Sequence, residues 1–350
     1  MPSSLKATNL TVRIKERILL DNAQFEFESG KIIAILGPSG SGKTTLLRTI
    51  AGLHPQTSGR ISVNGYDVSL LPPERRPLSM LFQDPALFPE RSLEENSLMP
   101  FRARAINASD LDSAHAFIGQ MIDYFDMKSH QKTLVKNMSG GERQRSAIIR
   151  CLVGAHDEQL LLLDEPFKST LNYGLKQRLM QKIIEWHDSH PGQTIIFVTH
   201  SFEEAIYMSD TIAIMFNSKI FLGQPKDIYE RPPDISLAEI LGAANSCGIT
   251  DATRTIIGEI TGKTPPRGAS TWFCRPHMLH ESDQGGSFKI TKSLYMGKYQ
   301  ALDLVSVADD NFFIKAEVPT STPYILDSIH RFKINNCPVF YNNDGLLIKD

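Results

Sequence analysis

The sequence predicts an α/β protein in two domains: a larger one over residues 1–241 that contains a helical insertion, and a smaller β-rich one over residues 242–350. Three observations support this prediction. The chain has 350 residues, which is more than one hydrophobic core usually organises. Apolar or alternating runs bounded by turn residues recur through the first part. After about residue 241 the pattern changes to short β-rich pieces.

The first domain begins with strand patterns that are later interrupted by helical ones. Predicted strands lie near residues 5–12, 23–28, 32–36, 60–64, 78–82, 159–163 and 194–198. Between residues 85 and 156 the strand pattern disappears, and amphipathic segments such as Leu111 to Phe125 and Glu142 to Leu152 replace it. We therefore expect a helical subdomain inserted into a sheet-based core.

The second domain consists of short β-rich pieces separated by Gly and Asp turns. These pieces are residues 287–294, 301–307, 312–318 and 338–341. This spacing is typical of a small all-β barrel or sandwich.

Composition narrows the class of partner. Lys and Arg total 37 against 39 for Asp and Glu, and the net charge of -2 gives no basic footprint for nucleic acid. The cysteines Cys151, Cys247, Cys274 and Cys337 are far apart, so we expect reduced thiols and no disulfide framework or zinc site. No apolar run approaches the ~18 residues of a spanning helix, and the N-terminus lacks a signal-peptide pattern. If a membrane is involved, we expect another chain to cross it.

A glycine-rich loop follows the predicted strand Ile32 to Leu36. The sequence GPSGSGKT runs from Gly37 to Thr44, and apolar residues at helical spacing come after it. A strand, GxxxxGK[ST] and a helix in this order predict a loop that binds phosphates through backbone N–H groups and a helix N-terminus. Lys43 is expected to reach the β- and γ-phosphates, and Thr44 to bind Mg²⁺.

Acidic and polar residues end two further predicted strands. Four leucines lead into Asp164 and Glu165, and the strand 194–198 leads into Thr199 and His200. In open α/β sheets, ligands bind at the carboxyl edge of the strands. We therefore expect Asp164 to bind Mg²⁺ and Glu165 to polarise the water that attacks the γ-phosphorus. Ser201 and Glu204 predict a capping box for the next helix.

A second glycine-containing helix start precedes the four leucines. Ser139, Gly140 and Gly141 lie in MSGGERQR, residues 138–145, and begin a segment with helical periodicity. Such a start is another anion-binding helix N-terminus. Together with the glycine-rich loop and LLLLDEP, this segment resembles the signature of the ABC ATPases.

The resemblance implies a fold, a site and an assembly. The fold would be a P-loop NTPase ABC cassette with a helical insertion, followed by a small all-β oligonucleotide-binding-type domain. ATP and Mg²⁺ would lie between two subunits of a head-to-tail homodimer, each signature closing over the phosphates bound by the other subunit. Gln83 matches the glutamine that senses Mg²⁺ and the attacking water, and His200 matches the switch histidine at the γ-phosphate. The resemblance assigns nucleotide contacts to Ile14, Gly37, Pro38, Ser39, Gly40, Ser41, Gly42, Lys43, Thr44, Thr45, Ser139, Gly140 and Gly141, catalytic roles to Lys43, Gln83, Glu165 and His200, and metal binding to Thr44, Gln83 and Asp164.

The resemblance is closest to the importer subgroup, over about residues 5–245, and two positions depart from it. Ile14 stands where the subgroup has an aromatic residue that stacks on adenine. The loop after the four leucines reads STLN, Ser169 to Asn172, where the family has SALD. An amide therefore replaces a carboxylate that organises the opposite subunit, and coupling between the two sites is expected to be weaker.

These observations predict the ATP-hydrolysing subunit of an importer, peripheral on the cytoplasmic face of the inner membrane. Its expected partners are a second copy, integral-membrane permease subunits and, indirectly, a periplasmic or surface solute-binding protein. The alternatives are a soluble non-transport ABC ATPase and a regulator with a vestigial ATPase. The length and short β-rich appendage most resemble the ferric-ion importers, with sugar, polyamine, sulfate and phosphonate importers as alternatives.

Overall fold

The computed structural model describes residues 3–103, 108–155, 160–169, 172–321, 324–335 and 338–348. The chain divides into two compact units, Met1–Pro225 and Lys226–Asp350. The predicted boundary lay at residue 241, so the structure assigns residues 226–241 to the second unit instead of the first. No helix in the described ranges is both long enough and apolar enough to span a bilayer.

The first unit alternates strands and helices. In chain order its elements are β1 (Ser3–Ile14), β2 (Arg17–Glu28), β3 (Ile32–Leu36), α1 (Lys43–Ile50), β4 (Ser58–Val63), β5 (Tyr66–Asp67), β6 (Ser79–Leu81), α2 (Leu93–Ser97), α3 (Met99–Ala103), α4 (Ala108–Tyr124), α5 (Gly140–Gly154), β7 (Leu160–Asp164), α6 (Tyr173–Asp188), β8 (Thr194–Val198), α7 (Phe202–Met208), β9 (Thr211–Phe216) and β10 (Lys219–Gly223).

Two sheets share the core of this unit. One has the order β10-β9-β3-β8-β7-β6 and is parallel except for β10. The other is antiparallel, with the order β2-β1-β4-β5. Every residue of β3, β7 and β8 is buried, as expected for parallel strands covered on both faces. Apolar residues of α1 belong to the same core as both sheets, so the helix after the glycine-rich loop is firmly anchored.

Each strand predicted in the first domain has a counterpart in the structure. The helical elements α2 to α5 lie between β6 and β7, where the insertion was expected. Strands β9 and β10 were not predicted. Their runs are short and apolar, and periodicity alone does not distinguish such a run from a helical segment.

The second unit is β-rich. Its elements are α8 (Pro225–Glu230), α9 (Ile235–Ile240), β11 (Asn245–Gly248), α10 (Asp251–Thr261), β12 (Thr271–Cys274), β13 (Leu279–Tyr295), β14 (Tyr299–Ser306), β15 (Phe313–Pro319), β16 (Ile329–Ile334) and β17 (Val339–Tyr341). They form two antiparallel sheets, β11-β12-β17 and β15-β14-β13-β16. The α/β class with a C-terminal β region is confirmed.

The β core of this unit packs against a helix that was not predicted. Ile256, Ile257 and Ile260 of α10 are buried in that core, so the domain is not purely all-β. Isoleucine is a poor helix former, and burial against the sheet overrides its local preference. Cys151, Cys247 and Cys274 are free thiols, while Cys337 lies outside the described residues.

A buried arginine holds the start of this unit together. Arg275 is fully buried and donates hydrogen bonds to the backbone carbonyls of Tyr229, Ala238, Gly242 and Ala243 at 2.8 to 2.9 Å. Its guanidinium also lies 4.2 Å from the centre of the Tyr229 ring. The arginine thereby satisfies carbonyls at the end of α9, and residues 226–241 depend on it.

Candidate functional site

The glycine-rich loop connects the end of β3 to α1. Gly37 has φ 153°, and a Cβ there would lie 2.4 Å from the carbonyl oxygen of Met215. Gly42, at the N-cap of α1, has φ 98°, and its Cβ would lie 2.8 Å from Leu19 Cδ1. Glycine is therefore required at both positions. The loop approaches neighbouring backbone closely and ends at a helix N-terminus, as an anion cradle requires.

Lys43 lies over this loop. Its Nζ donates hydrogen bonds to the carbonyls of Gly37 at 2.9 Å and Pro38 at 3.1 Å, and the residue is 8% exposed. Burial lowers the pKa of Lys43, while the carboxylates of Glu165 and Asp164 act in the opposite direction. A cation is thus held where phosphate oxygens would meet the loop.

Thr44 and Asp164 meet at the carboxyl edge of the parallel sheet. Thr44 Oγ1 donates a hydrogen bond to Asp164 Oδ1 at 2.8 Å. Asp164 is 0% exposed, and within the described residues its Oδ2 has no hydrogen-bond partner. Burial raises the pKa of Asp164, as does the charge of Glu165, whereas the Thr44 hydrogen bond lowers it.

A buried carboxylate oxygen without a partner is unfavourable unless a ligand completes the site. An oxygen pair from a carboxylate and a hydroxyl suits Mg²⁺, which takes few protein ligands beside water and phosphate. No cluster of three or more His, Cys, Asp or Glu side chains suitable for a metal occurs among the described residues. The oxygens of Thr44 and Asp164 therefore fit a magnesium ion that shares its coordination with a nucleotide.

Glu165 turns away from the end of β7. Its φ is +48°, a strained value for this residue type, and its N–H donates to Val198 O at 3.1 Å. Its Oε2 accepts a hydrogen bond from Gln83 Nε2 at 3.0 Å and lies 2.9 Å from Lys168 Nζ. Its Oε1 lies 3.9 Å from Nδ1 of His200, whose side chain is 68% exposed. Glu165 is thus oriented by neighbours on three segments.

A cleft of about 680 Å³ joins these groups. Its lining consists of Ile14, Arg17, Leu19, Ser39, Gly40, Gly42, Lys43, Thr44, Thr45, Glu165, Lys168 and His200. Gln83 and Asp164 do not line the cleft; Gln83 reaches it through Glu165, and Asp164 through Thr44. Three predicted residues of the glycine-rich loop are also outside the lining: Gly37, Pro38 and Ser41. The sequence analysis missed Arg17, Leu19 and Lys168. Arg17 lies opposite Ile14 in the β1–β2 hairpin. It could have been found from the sequence if the turn at Lys15 and Glu16 had been recognised.

The signature residues lie apart from this cleft. Ser139 is the N-cap of α5: its Oγ accepts from Glu142 N at 3.4 Å, and its own N–H donates to Glu142 Oε2 at 2.8 Å. Ser139 and Gly140 are exposed. A Cβ on Gly140 or Gly141 would meet no described atom within 4 Å. None of the three lines the cleft of its own chain, and the helix N-terminus they form is open.

The corner that presents His200 differs from the predicted capping box. Ser201 caps α7 by accepting from Glu204 N at 3.3 Å. The Glu204 carboxylate, however, accepts from Thr199 Oγ1 at 2.5 Å and pairs with Lys176 Nζ at 2.9 Å. The N–H of Ser201 instead donates to Thr199 Oγ1 at 3.0 Å. The half-buried Lys176 of α6 and the Thr199 hydroxyl bind the Glu204 carboxylate in place of the local contact, so the reciprocal half of the predicted box is wrong.

Asn172 has a structural role that the sequence did not predict. It is the N-cap of α6, and its Oδ1 accepts from Leu175 N at 3.0 Å. Thr170 and Leu171 of the same loop lie outside the described residues. The amide oxygen is therefore engaged within the chain.

Comparison with known proteins agrees with this geometry. A family profile described as ABC transporter matches residues 20–168. An Fe(3+) ions import ATP-binding protein of Brucella abortus is 33% identical over 346 residues, 95% of this chain and 96% of the relative. One of Streptomyces coelicolor is 32% identical over 87% of both chains. A spermidine/putrescine import ATP-binding protein of Thermotoga maritima is 36% identical over 228 residues. This match covers 65% of this chain and 60% of that relative's length.

Two solved structures share their fold with about two thirds of this chain. A nucleotide-free ATP-binding cassette from an ABC transporter has a TM-score of 0.55 at 20% identity, over 63% of this chain and 91% of that chain. A dimeric cassette in a post-hydrolysis state with ADP and Pi has a TM-score of 0.55 at 23% identity, over 63% of this chain and 98% of that chain. At these identities the likeness establishes the fold alone.

Proposed function

Because the chain belongs to the ABC transporter family of ATP-binding proteins, within its importer group, we propose that it binds and hydrolyses Mg-ATP to drive solute uptake through a separate permease. The observation that supports this most directly is the meeting of two motifs at one sheet edge. Lys43 and Thr44 from the loop lie beside Asp164 and Glu165 from the end of β7. A vestigial ATPase would not need this complete set.

Different residues of the chain have different roles in ATP hydrolysis. Thr44 and Asp164 would hold Mg²⁺, which when bound neutralises charge on the phosphates. Lys43 neutralises further charge on the β- and γ-phosphates. Glu165 accepts a proton from the attacking water. As it does so, the water oxygen bonds to the γ-phosphorus and the bond between the γ-phosphorus and ADP breaks. Gln83 and Lys168 hold the Glu165 carboxylate in place.

The proposed active form is a head-to-tail homodimer. Ser139, Gly140 and Gly141 form a helix N-terminus that does not line the cleft of its own chain, and Ser139 and Gly140 are exposed. Helix N-termini with unhindered glycine backbone bind phosphate. The phosphates held by a second copy are the target that fits, and Ile14 would supply apolar contact to the adenine there.

The proposed partners follow from the importer relatives. The segment Ala86 to Asn96 resembles the part of importer ATPases that faces the permease and would do the same here; Phe88 within it is 45% exposed. A periplasmic or surface binding protein would deliver the solute, and the chain would lie at the cytoplasmic face of the inner membrane. The net charge of -2 gives no support for nucleic acid as partner.

The proposed solute is ferric iron. The relatives named for Fe(3+) import match this chain along almost its whole length, including the second unit. The polyamine relative is slightly more identical but matches over a shorter span, which makes polyamines the second candidate. Uptake of radioactive iron or spermidine into vesicles with the cognate permease and binding protein would decide between them. Sugar, sulfate or phosphonate uptake would refute both.

The ATPase proposal is tested by Glu165→Gln. This variant should bind ATP but hydrolyse it about 10² times more slowly, so an ATP-bound dimer should accumulate in gel filtration. Glu203→Gln, at an exposed position on α7, is the matched control and should behave as wild type. Turnover near wild type in Glu165→Gln, or only monomer with ATP, would contradict the assignment.

A further inference from the structure

The signature helix α5 is fastened to the catalytic edge by two of its own side chains. Its N-terminus carries Ser139, and further along it lie Gln144 and Arg150, separated by about 9 Å along the axis at the usual helical rise. Each of these two side chains donates hydrogen bonds to backbone carbonyls outside the helix. Both acceptor segments adjoin a residue that contacts the site.

Arg150 holds the segment after Gln83. Its Nη1 donates to Ala86 O at 2.8 Å and its Nη2 to Pro85 O at 2.9 Å. Ala86 has φ +44°, an uncommon value for alanine, so the turn depends on such outside support. A planar guanidinium with two parallel donors fixes direction as well as distance.

Gln144 holds the segment after Glu165. It is 1% exposed, and its Nε2 donates to Pro166 O at 2.9 Å. Pro166 follows Glu165 directly, so a shift of Glu165 backbone moves the acceptor of Gln144. Buried polar contacts of this kind tolerate little displacement before a hydrogen bond is lost.

The two contacts close a circuit through the active site. Gln83 and Glu165 are hydrogen-bonded to each other at 3.0 Å. From Gln83 the chain leads to Pro85 and Arg150, then along α5 to Gln144, and from there through Pro166 back to Glu165. A ligand that separates or rotates the pair Gln83 and Glu165 must therefore displace α5 or break one of these hydrogen bonds.

We propose that Gln144 and Arg150 are positioning residues that couple the contact between Gln83 and Glu165 to the orientation of α5, and through it to Ser139 at the dimer interface. The inference rests on the proposed dimeric ATPase. A nucleotide and its attacking water in the cleft would meet Glu165, which lines it, and would disturb the hydrogen bond from Gln83 to Glu165. The circuit would transmit that change to the signature.

The test is Arg150→Met in the full chain. Binding of a fluorescent ATP analogue to the monomer should be unchanged, because Arg150 does not line the cleft. The concentration of a non-hydrolysed ATP analogue needed for half-maximal dimerisation should rise about tenfold, a typical size for coupling between sites, and cooperativity of ATP hydrolysis should fall. Arg150→Lys keeps one donor and should restore part of the coupling.

Arg76→Met is the matched control. Like Arg150, Arg76 donates to backbone carbonyls, those of Thr49 at 2.9 Å and Ile50 at 2.7 Å. It is buried, whereas Arg150 is half-buried. Its loss should lower the unfolding temperature without shifting dimerisation. If Arg150→Met shifts dimerisation no more than Arg76→Met does, the inference is wrong.

Gln144→Leu and hydrogen exchange keep the inference testable if Arg150→Met does not fold. Gln144→Leu should weaken dimerisation in the same way. In the wild type, peptides over residues 83–86 and 139–150 should gain protection together when the analogue binds, and independent changes would refute the circuit. A wild type that neither dimerises nor hydrolyses ATP would instead refute the proposed function, and this inference with it.

Discussion

Asp164→Asn should stabilise the protein without metal and abolish its stabilisation by Mg-ATP. Asp164 is fully buried, and its Oδ2 lacks a hydrogen-bond partner among the described residues. The effect of burial on its charge outweighs the attraction of Arg48 and Lys168, so the pKa of Asp164 is raised. A bound cation would offset this penalty. Asparagine has nearly the same shape, keeps an oxygen for the Thr44 hydroxyl, and removes the charge.

The magnitude follows from the unpaired oxygen. A buried acceptor left without a partner costs about 1–3 kcal/mol, and more when charged. The amide N–H of asparagine would still be unpaired, so we expect a net gain of about 1 kcal/mol. For a domain of this size that corresponds to about 2–4 °C in Tm. With Mg-ATP at about 100 times its Kd, the wild type gains about 2.7 kcal/mol, which the variant largely forgoes.

Asp164→Asn should therefore have the higher Tm without metal, and the wild type the higher Tm with Mg-ATP. The difference in Tm without metal should depend on pH. The folded-state pKa of Asp164 is raised above its ordinary value of 3.8. The contribution of this carboxyl to stability is then fully present below the unfolded pKa and is lost as pH rises through the folded pKa. The advantage of Asp164→Asn should appear as pH rises and disappear in acid.

Thermal unfolding followed by circular dichroism, in EDTA and in Mg-ATP, measures both effects. Glu165→Gln is the control, because Glu165 already has Gln83 and Lys168 as partners. Its substitution should not raise the metal-free Tm. If Asp164→Asn lowers the Tm in EDTA by several degrees, the buried charge is satisfied within the chain, and the argument for a missing cation fails.

Three further predictions concern coupling and domain limits. Asn172→Asp should leave the free energy of unfolding unchanged, because both residues cap helices well. It should raise ATPase activity several-fold, because a carboxylate makes a hydrogen bond to the opposite subunit about 1 kcal/mol stronger than an amide does. A tenfold loss of activity would contradict this. A mixture of Lys43→Ala and Ser139→Arg subunits should recover ATPase activity beyond either variant, and no recovery would exclude the composite site. Truncation after Pro225 should give a soluble core, whereas truncation after Leu241 should aggregate because it separates residues 226–241 from the arginine that binds their carbonyls; equal solubility would place the boundary elsewhere.

The phosphate end of the site was predictable because its parts are contiguous motifs. Gly37 to Thr44 and the pair Asp164 and Glu165 each follow a buried strand, and parallel strands bring their carboxyl ends to one edge. The sequence could not give the partners of these groups. That Gln83 donates to Glu165, or that Lys168 pairs with it, depends on how three segments pack, and periodicity contains no such information.

The same limit explains the errors in the fold. Glu204 has the right spacing for a capping box, yet Lys176 and Thr199 lie close enough to take its carboxylate. The helix α10 is rich in isoleucine, which favours strands. Thr250 and Thr253 form a capping box at its start, Gly262 ends it, and its isoleucines are buried in the second unit. At Glu204 a tertiary contact decided between local options, whereas at α10 the local capping signals and burial act together.

The site residues share an energetic property that relates structure to function. Lys43 is a buried amine whose pKa is lowered by that burial, Asp164 keeps an unpaired buried oxygen, and Glu165 adopts a strained backbone. Each is unfavourable by itself. Phosphate supplies a counterion for Lys43, and a metal supplies one for Asp164, so nucleotide binding removes penalties that the empty fold bears. The free energy released is then available to move Gln83 and Glu165 relative to each other, and α5 with them.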